Sequence, residues 1–537
     1  MTPTEEYDYI VVGAGSAGCV LANRLSADAS KSVLLLEAGP EDSSMWMKIP
    51  AGTTKVFGPS AVNWGYFTEP EPHLKDRKIY WPRGRTLGGS SSINGMVYLR
   101  GHPEDYDQWE RLGNPGWGWK DVIPHFKRSE DQERGESALH GVGGGLSVTD
   151  LSIDDKAGRL FIEAAQNAGL PLRKDFNDGV QEGVGRAQVT VKDGRRSSTS
   201  VAFLHPVRGR RNLRIEVNAL AERILFEGRR ATGIRYTQGG IQKIAKARLE
   251  VVLAGGVINS PQLLMLSGVG PAGHLQEMGI DVVLNLPGVG QNLQDHLYVY
   301  YVAKCEKEIS LNHQLSGPNL YLHAMRYFVN RSGYLNIGVV QATAFPRVTP
   351  DANRPNVEIS FRPMSLNISK KGTIALDKFP GINASCSLLR PKARGQIRLA
   401  SSNPRDYPLI QANYLNNTED LHVMREGLRW IRKTFETEPL SQFITAEHAP
   451  GNAVQSDSEW EGFIRDAAQS VYHPVGTCAM GIDSMAVVDH ELRVRGIDGL
   501  RVVDASVMPR ITSSNTNAPT IMIGEKGADM IRAAARK

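Results

Sequence analysis

Six consecutive residues near the start of the chain, Gly13-Ala14-Gly15-Ser16-Ala17-Gly18, have the types and spacing to hold a diphosphate against backbone N–H groups. Gly13 permits a tight turn, Gly15 lets a pyrophosphate approach the main chain, and Gly18 allows close helix–strand packing. Further along, Glu37 can take both hydroxyls of a ribose, and its charge would repel a 2′-phosphate, which disfavours NADP. The pattern does not separate NAD from FAD. A second Gly/Ser-rich turn, Gly88-Gly89-Ser90-Ser91-Ser92, carries embedded Ile93, Met96, Val97 and Leu99 and therefore reads poorly as a surface loop. It suits a long cofactor whose far end needs its own cradle.

These residues need elements to position them. Tyr9-Ile10-Val11-Val12 is a β-branched apolar run, read as a buried strand that feeds the first glycine turn. Ala17, Val20, Leu21 and Leu25 then fall at helical spacing, and a second strand runs from Val33 to Leu36. Strand, glycine turn, helix, strand and acid form the full context of a dinucleotide fingerprint. Later patterning differs. Val357, Ile359 and Phe361 alternate with polar residues, as do Ile397 and Leu399, which predicts half-buried antiparallel strands. Leu421, Met424, Leu428, Ile431 and Phe435 mark one face of a helix.

Glycine follows the same division: residues 1–150 hold 20 of the 54 glycines and residues 311–460 hold 8. The front is built around backbone and the later stretch around side chains. The charge of +5 over 537 residues is mild, and the basic runs Arg195-Arg196, Arg208 with Arg210-Arg211, and Arg229-Arg230 are short. They read as solvated surface, and no nucleic-acid partner is expected. Four Cys without a CxxC pair indicate neither a disulfide framework nor a zinc ribbon. No metal is expected: there is no H-E-x-x-H, and His102, His125 and His140 lack ligand spacing. No G-x-S-x-G elbow suggests a serine hydrolase. Neither a signal peptide nor a spanning helix is legible, so the expectation is a cytoplasmic protein, with membrane association left open.

Longer motifs carry a resemblance. Residues Trp81 to Gly101 resemble the first signature of the glucose–methanol–choline (GMC) oxidoreductases, and Ala254 to Pro271 resemble the second. Leu286 to His296, Tyr472 to Gly481, and Val502 to Ser506 leading into Asn515-Thr516-Asn517-Ala518-Pro519-Thr520 match further family motifs, in the family's order. Within the family the likeness is to bacterial choline dehydrogenases and alkanol dehydrogenases. The fold implied is α/β (α+β overall): a Rossmann-like FAD-binding domain and a substrate domain built on an antiparallel sheet covered by helices. Residues 1–155, 156–310 (with some substrate-domain segments) and 473–537 would form the first, and 311–472 the second.

The resemblance implies FAD. It places Gly13, Gly15, Ser16, Gly18, Glu37, Ala38, Gly89, Ser90, Asn94, Gly95, Val97, Val217, Asp504, Ala505, Asn517 and Thr520 around the cofactor. Asp504 would lie beside the ribityl and pyrophosphate, or cap a turn. Ile93 stands where some members carry the His that links FAD covalently, so the flavin is expected to be non-covalent. His473 matches the family's base, with an ordinary pKa of ~6.5 suited to neutral pH. Asn517 matches the residue that pairs with it and holds the substrate oxygen. Pro519 would open a helix whose positive end favours the reduced flavin.

The implied reaction is oxidation of a primary alcohol to the aldehyde, with His473 taking the hydroxyl proton, hydride passing to flavin N5, and electrons going on to a quinone or other acceptor. Choline dehydrogenase, an O₂-using alcohol oxidase and a flavin-containing lyase of the same fold are the alternatives. Chain length of the substrate and oligomeric state are not legible.

Overall fold

A computed structural model describes residues 4–369 and 373–536. Its first sheet runs in the order Leu213–Glu216, Val33–Leu36, Thr4–Val12, Ile241–Leu253, Arg230–Gln238, Ala219–Glu227. The first four strands pair in parallel and the last two are antiparallel. Val33–Leu36 is buried throughout, as a strand covered on both faces must be. Near the C-terminus, Leu500–Val502 pairs in parallel with Val251 to Leu253. The two ends of the chain therefore meet on one strand.

Helix Ser16–Leu25 follows the first strand at once and packs against helix Asn517–Ala534. The contact is close because Gly524 presents no side chain: a Cβ there would lie 3.1 Å from Ala17 Cα. Glu525, fully buried, accepts from Arg24 Nη2 at 2.7 Å across this contact and from Arg128 Nε, on helix Trp119–Ser129, at 2.7 Å. The C-terminal helix begins at Asn517, so Pro519 is its third residue rather than its first.

A second sheet has the order Ile444–Ala449, Leu297–Cys305, Gly381–Leu388, Val357–Arg362, Ala342–Phe345, Gly183–Gly185, Leu172–Arg173. Every pairing is antiparallel except the last. Segments 172–185 and 297–305 thus join the sheet formed mainly by the glycine-poor stretch. Strand Val357–Arg362 is buried on both faces, not half-buried as its alternation predicts. Val357, Ile359 and Phe361 face helices Lys156–Asn167 and Thr418–Phe435; Phe361 stacks on Phe161 at 4.6 Å. Glu358, Ser360 and Arg362 face a cavity. The polar residues of the alternation mark an internal surface, not solvent.

Candidate functional site

A cavity of about 970 Å³ runs between the two sheets. One end lies in the glycine turns. Gly13 has φ +101°, and a Cβ there would strike Ala254 O at 2.5 Å. Gly18 does not line the cavity; its Cβ would meet Gly13 O at 1.8 Å, so it serves helix–strand packing. Gly89 has φ +52°, and a Cβ there would lie 2.7 Å from Gly15 Cα. The two turns therefore touch. Gly15 itself faces open space, with its nearest protein neighbour 3.9 Å from an added Cβ.

Helix Ser16–Leu25 starts here with no side-chain cap and no acid in its first turn, and helix Asn517–Ala534 starts beside it in the same condition. Ser16 Oγ donates to Asn517 Oδ1 at 2.7 Å. Two positive helix ends thus converge on the cavity, an arrangement that favours an anion. Glu37 is fixed by Ala14 N and Gly39 N, both donating at 2.9 Å, and burial pushes its carboxyl up to about 7. Ala38, Ser90, Asn94, Gly95, Val97, Ala505 and Thr520 also line the cavity; Val217 does not. Asp504 caps the turn after it through Ser506 N at 2.8 Å and accepts from Gly256 N at 2.9 Å and Ser260 Oγ at 2.6 Å. A dinucleotide fits this end: open main chain at Gly15, two uncapped helix ends and a fixed carboxyl for a ribose. The resulting FAD site would be held by Gly13, Gly15, Ser16, Glu37 and Gly89. Ile93, buried against Met47 and Val56, offers only aliphatic carbon to the cavity.

The second turn rests on a residue that sequence reasoning missed. Arg196 is buried, not solvated, and donates to Met47 O at 2.9 Å, Thr53 Oγ1 at 2.7 Å, and both Asn94 O and Asn94 Oδ1 at 2.7 Å. Without a carboxylate partner, burial lowers its pKa to about 9. Its neighbour Arg195 is exposed, and that contrast is invisible in the pair read as a basic run.

His473 lies at the other end, in the cavity wall and buried. Its main-chain N donates to Asp295 Oδ1 at 2.8 Å, and Asp295 also accepts from Ser470 Oγ and Tyr414 OH. Tyr472, immediately before it, has φ +67°, an uncommon conformation for a bulky residue, which these contacts hold in place. His473 Nε2 is 3.1 Å from Asn515 Nδ2, and Nδ1 is 3.1 Å from His296 Nδ1. The expected partner was Asn517. Instead Asn515, on the approach to the C-terminal helix, reaches His473, while Asn517 in the first turn points to Ser16.

The hydrogen bonds fix the protons. His296 Nε2 faces Leu389 O at 3.2 Å, an acceptor only, so it carries hydrogen and its Nδ1 is bare. His473 Nδ1 must then donate, which leaves Nε2 unprotonated, its lone pair accepting from Asn515 Nδ2. Asn515 Oδ1, buried without a protein partner, remains for a bound molecule. Burial, His296 and the Arg83 guanidinium drive the His473 pKa well below the ordinary value expected from its residue type, and burial lowers His296 to about 4. Both rings are neutral at neutral pH.

The cavity floor beyond His473 is polar. Across the second sheet Glu358 stands opposite Ser387 and Ser360 opposite Ser385, and those serines oppose Tyr298 and Tyr300. The two tyrosine rings meet edge-to-face at 4.7 Å. Glu358 accepts from Ser360 Oγ at 3.0 Å, and burial pushes its carboxyl up to about 7. Among the described residues, no cluster of His, Cys, Asp or Glu is arranged to hold a metal. His140, grouped in the sequence with His102 and His125, instead lies between Glu130 and Asp175 in a buried ion-pair network with Arg100.

Two family models, both described as GMC oxidoreductase, match residues 7–298 and 391–524. The chain is 45% identical to the alcohol dehydrogenase [acceptor] of Pseudomonas putida over 98% of this chain and 95% of the relative. It is 43% identical to the mitochondrial choline dehydrogenase of Mus musculus over 98% of this chain and 90% of that one. Among solved structures it is similar to pyridoxine 4-oxidase from Mesorbium loti, with a TM-score of 0.89, 31% identity and 99% of each chain covered.

Proposed function

The chain belongs to the GMC oxidoreductase family and is an FAD-dependent enzyme, and from that premise we propose that it oxidises a primary alcohol to the aldehyde and passes the electrons to a quinone or similar acceptor. FAD, held non-covalently beside Ile93, supplies the hydride acceptor when bound. The chain's residues supply the rest. His473 Nε2 takes the hydroxyl proton. Asn515 Nδ2, which carries two hydrogens, supports the alcohol oxygen and fixes its direction. Asp295 anchors the main chain of His473, and Leu389 O and His296 set its tautomer. Asn517 and Ser16 join the two helix ends that face the cofactor. Residues 1–155, 156–310 and 473–537 constitute most of the cofactor-binding domain in this reading, and residues 311–472 most of the substrate domain.

The observation that carries this reading is the unprotonated Nε2 of His473, held by Asn515 Nδ2 in the same cavity as the glycine turns and Glu37. The test is anaerobic mixing of the holoenzyme with a panel of alcohols, followed by flavin absorbance near ~450 nm. His473→Ala should keep its flavin and lose bleaching by orders of magnitude; unchanged bleaching removes His473 as the base. Absence of bleaching in the wild-type enzyme across the panel favours lyase chemistry. Peroxide formed in air identifies an oxidase.

A second reading, oxidation of choline or another ammonium alcohol, is favoured by one feature. Glu358 is a buried carboxyl that makes no direct ion pair among the described residues, on the same wall as Tyr298 and Tyr300, and the combination suits an organic cation. Choline within the alcohol panel separates the two readings.

A further inference from the structure

Helix Gly317–Asn330 is amphipathic in the reverse of the usual sense. Its inner face carries His323, Ala324 and Tyr327, which are buried or half-buried; Tyr327 OH donates to Gly194 O at 2.8 Å, and Ala324 packs against Ile49 and Leu335. Its outer face carries Tyr321, Met325, Phe328 and Val329, exposed by 78%, 59%, 52% and 80%. A helix on a water-soluble surface places its polar side outward. Met45 and Trp46, also exposed, lie on the same cavity rim as Leu320, Tyr321 and Phe328. The apolar surface therefore frames the mouth of the catalytic cavity.

We propose that this rim docks on an anionic lipid bilayer, with helix Gly317–Asn330 lying in the interface and the cavity opening toward the lipid. Three observations select a bilayer. Residues 43–68 and 311–350, which supply the patch, contain no Asp or Glu, while Lys48, Lys55 and Arg326 are exposed within them. That charge balance complements anionic headgroups. Trp46 and Tyr321 combine an apolar ring with a polar tip, the side chains suited to headgroup depth. The mouth opens inside the patch, so its occupant must let substrate through. A second copy seated symmetrically would bring two cavity mouths face to face and close both. A fluid bilayer leaves the route open and can deliver an alcohol that partitions into lipid. Among the described residues no helix is long and apolar enough to cross a membrane, so the contact would be peripheral.

The experiment is flotation of the holoenzyme with phosphatidylcholine vesicles, with and without phosphatidylglycerol. It reads binding and is independent of the alcohol chemistry proposed above. The expected result is flotation with the phosphatidylglycerol vesicles that weakens as salt is raised. The variant Leu322→Ser/Met325→Ser/Val329→Ser, whose positions lie outside the cavity lining, should lower recovery by about tenfold or more at unchanged flavin content. Should that variant misfold, Lys48→Glu/Arg326→Glu serves in its place and should remove the preference for phosphatidylglycerol. Failure of the wild-type holoenzyme to float with either vesicle overturns the proposal. So does a lipid-free dimer by light scattering that the serine variant converts to monomer, because the patch would then be a subunit interface.

Discussion

His296 Nδ1 and His473 Nδ1 lie 3.1 Å apart, and only one of them can carry the hydrogen between them. The carbonyl of Leu389 decides which. By accepting from His296 Nε2 it leaves His296 Nδ1 bare, makes His473 Nδ1 the donor, and delivers a lone pair to His473 Nε2 at the cavity. A main-chain acceptor two residues removed in contact thus sets the protonation geometry of the proposed base.

His296→Ala should therefore act through the tautomer. Without an acceptor at Nδ1, His473 can place its hydrogen on Nε2, where it cannot take a proton. Flavin reduction by alcohol should slow about tenfold or more while flavin content stays unchanged, because an imidazole base held in the wrong tautomer loses much of its activity. An unchanged reduction rate would show that Asn515 alone orients the ring.

The pH dependence has a definite sign. His473 must be neutral to accept a proton, and burial, His296 and Arg83 hold its pKa well below the ordinary ~6.5. The rate of flavin reduction at saturating alcohol should therefore stay level as pH falls through 6.5 and decline only at lower pH. A decline centred near ~6.5 would mean that the ring titrates as an unburied histidine does.

Asn515 and Asn517 should separate cleanly. Asn515→Ala leaves the helix junction intact and removes the support at His473 Nε2, so flavin reduction should slow by about a hundredfold or more with flavin retained. Asn517→Ala breaks the bond to Ser16 at the meeting of two helix ends, so its main effect should be weaker flavin binding, read by loss of flavin on dilution. The reverse pattern would restore Asn517 as the partner of the base.

That pair also marks how far the sequence carries. The strand–turn–helix unit from Tyr9 to Glu37 was legible because its constraints are local: a glycine needed for a turn, an apolar period, an acid at a strand end. The helix stripe Leu421 to Phe435 was legible for the same reason. The choice between Asn515 and Asn517 was not, because it depends on where the C-terminal helix begins, and boundaries are the weakest part of such reading. Arg196 and His296 were missed on similar grounds. Nothing in an Arg-Arg pair tells which one turns inward, and nothing in the run ending Gln294-Asp295-His296 shows a histidine 177 residues away from its partner. Alternation in 357–361 gave the strand and its two faces but assigned the polar face to solvent, since a cavity wall and a protein surface have the same period.

The glycine turns predict opposite outcomes for two neighbouring substitutions. Gly18→Ala puts a Cβ 1.8 Å from Gly13 O, a clash between main-chain segments, and should destabilise the protein by several kcal/mol, on the order of 3 or more. Gly15→Ala meets nothing nearer than 3.9 Å in the protein and should leave the melting temperature of the flavin-free chain close to wild type. Its flavin affinity should nevertheless fall at least about tenfold, because the methyl occupies the open main-chain face where the diphosphate is expected. Equal flavin affinity in Gly15→Ala and wild type would move the diphosphate elsewhere.

Glu358 offers a test on the substrate side that joins stability to specificity. Its folded pKa of about 7 lies above the ordinary carboxyl value, so the folded state holds the proton more tightly than the unfolded chain. Its relative contribution to stability is therefore fully present below about pH 4 and is lost as pH rises through about 7. Glu358→Gln keeps the shape and cannot ionise, so it should melt close to wild type at pH 5 and higher than wild type at pH 8, by an increment of about 1–3 kcal/mol. If the carboxylate receives an organic cation, the same variant should raise KM for choline and leave KM for an uncharged alkanol nearly unchanged. A parallel change for both alcohols would assign Glu358 to the packing of the cavity floor and leave the ammonium reading without its one structural support.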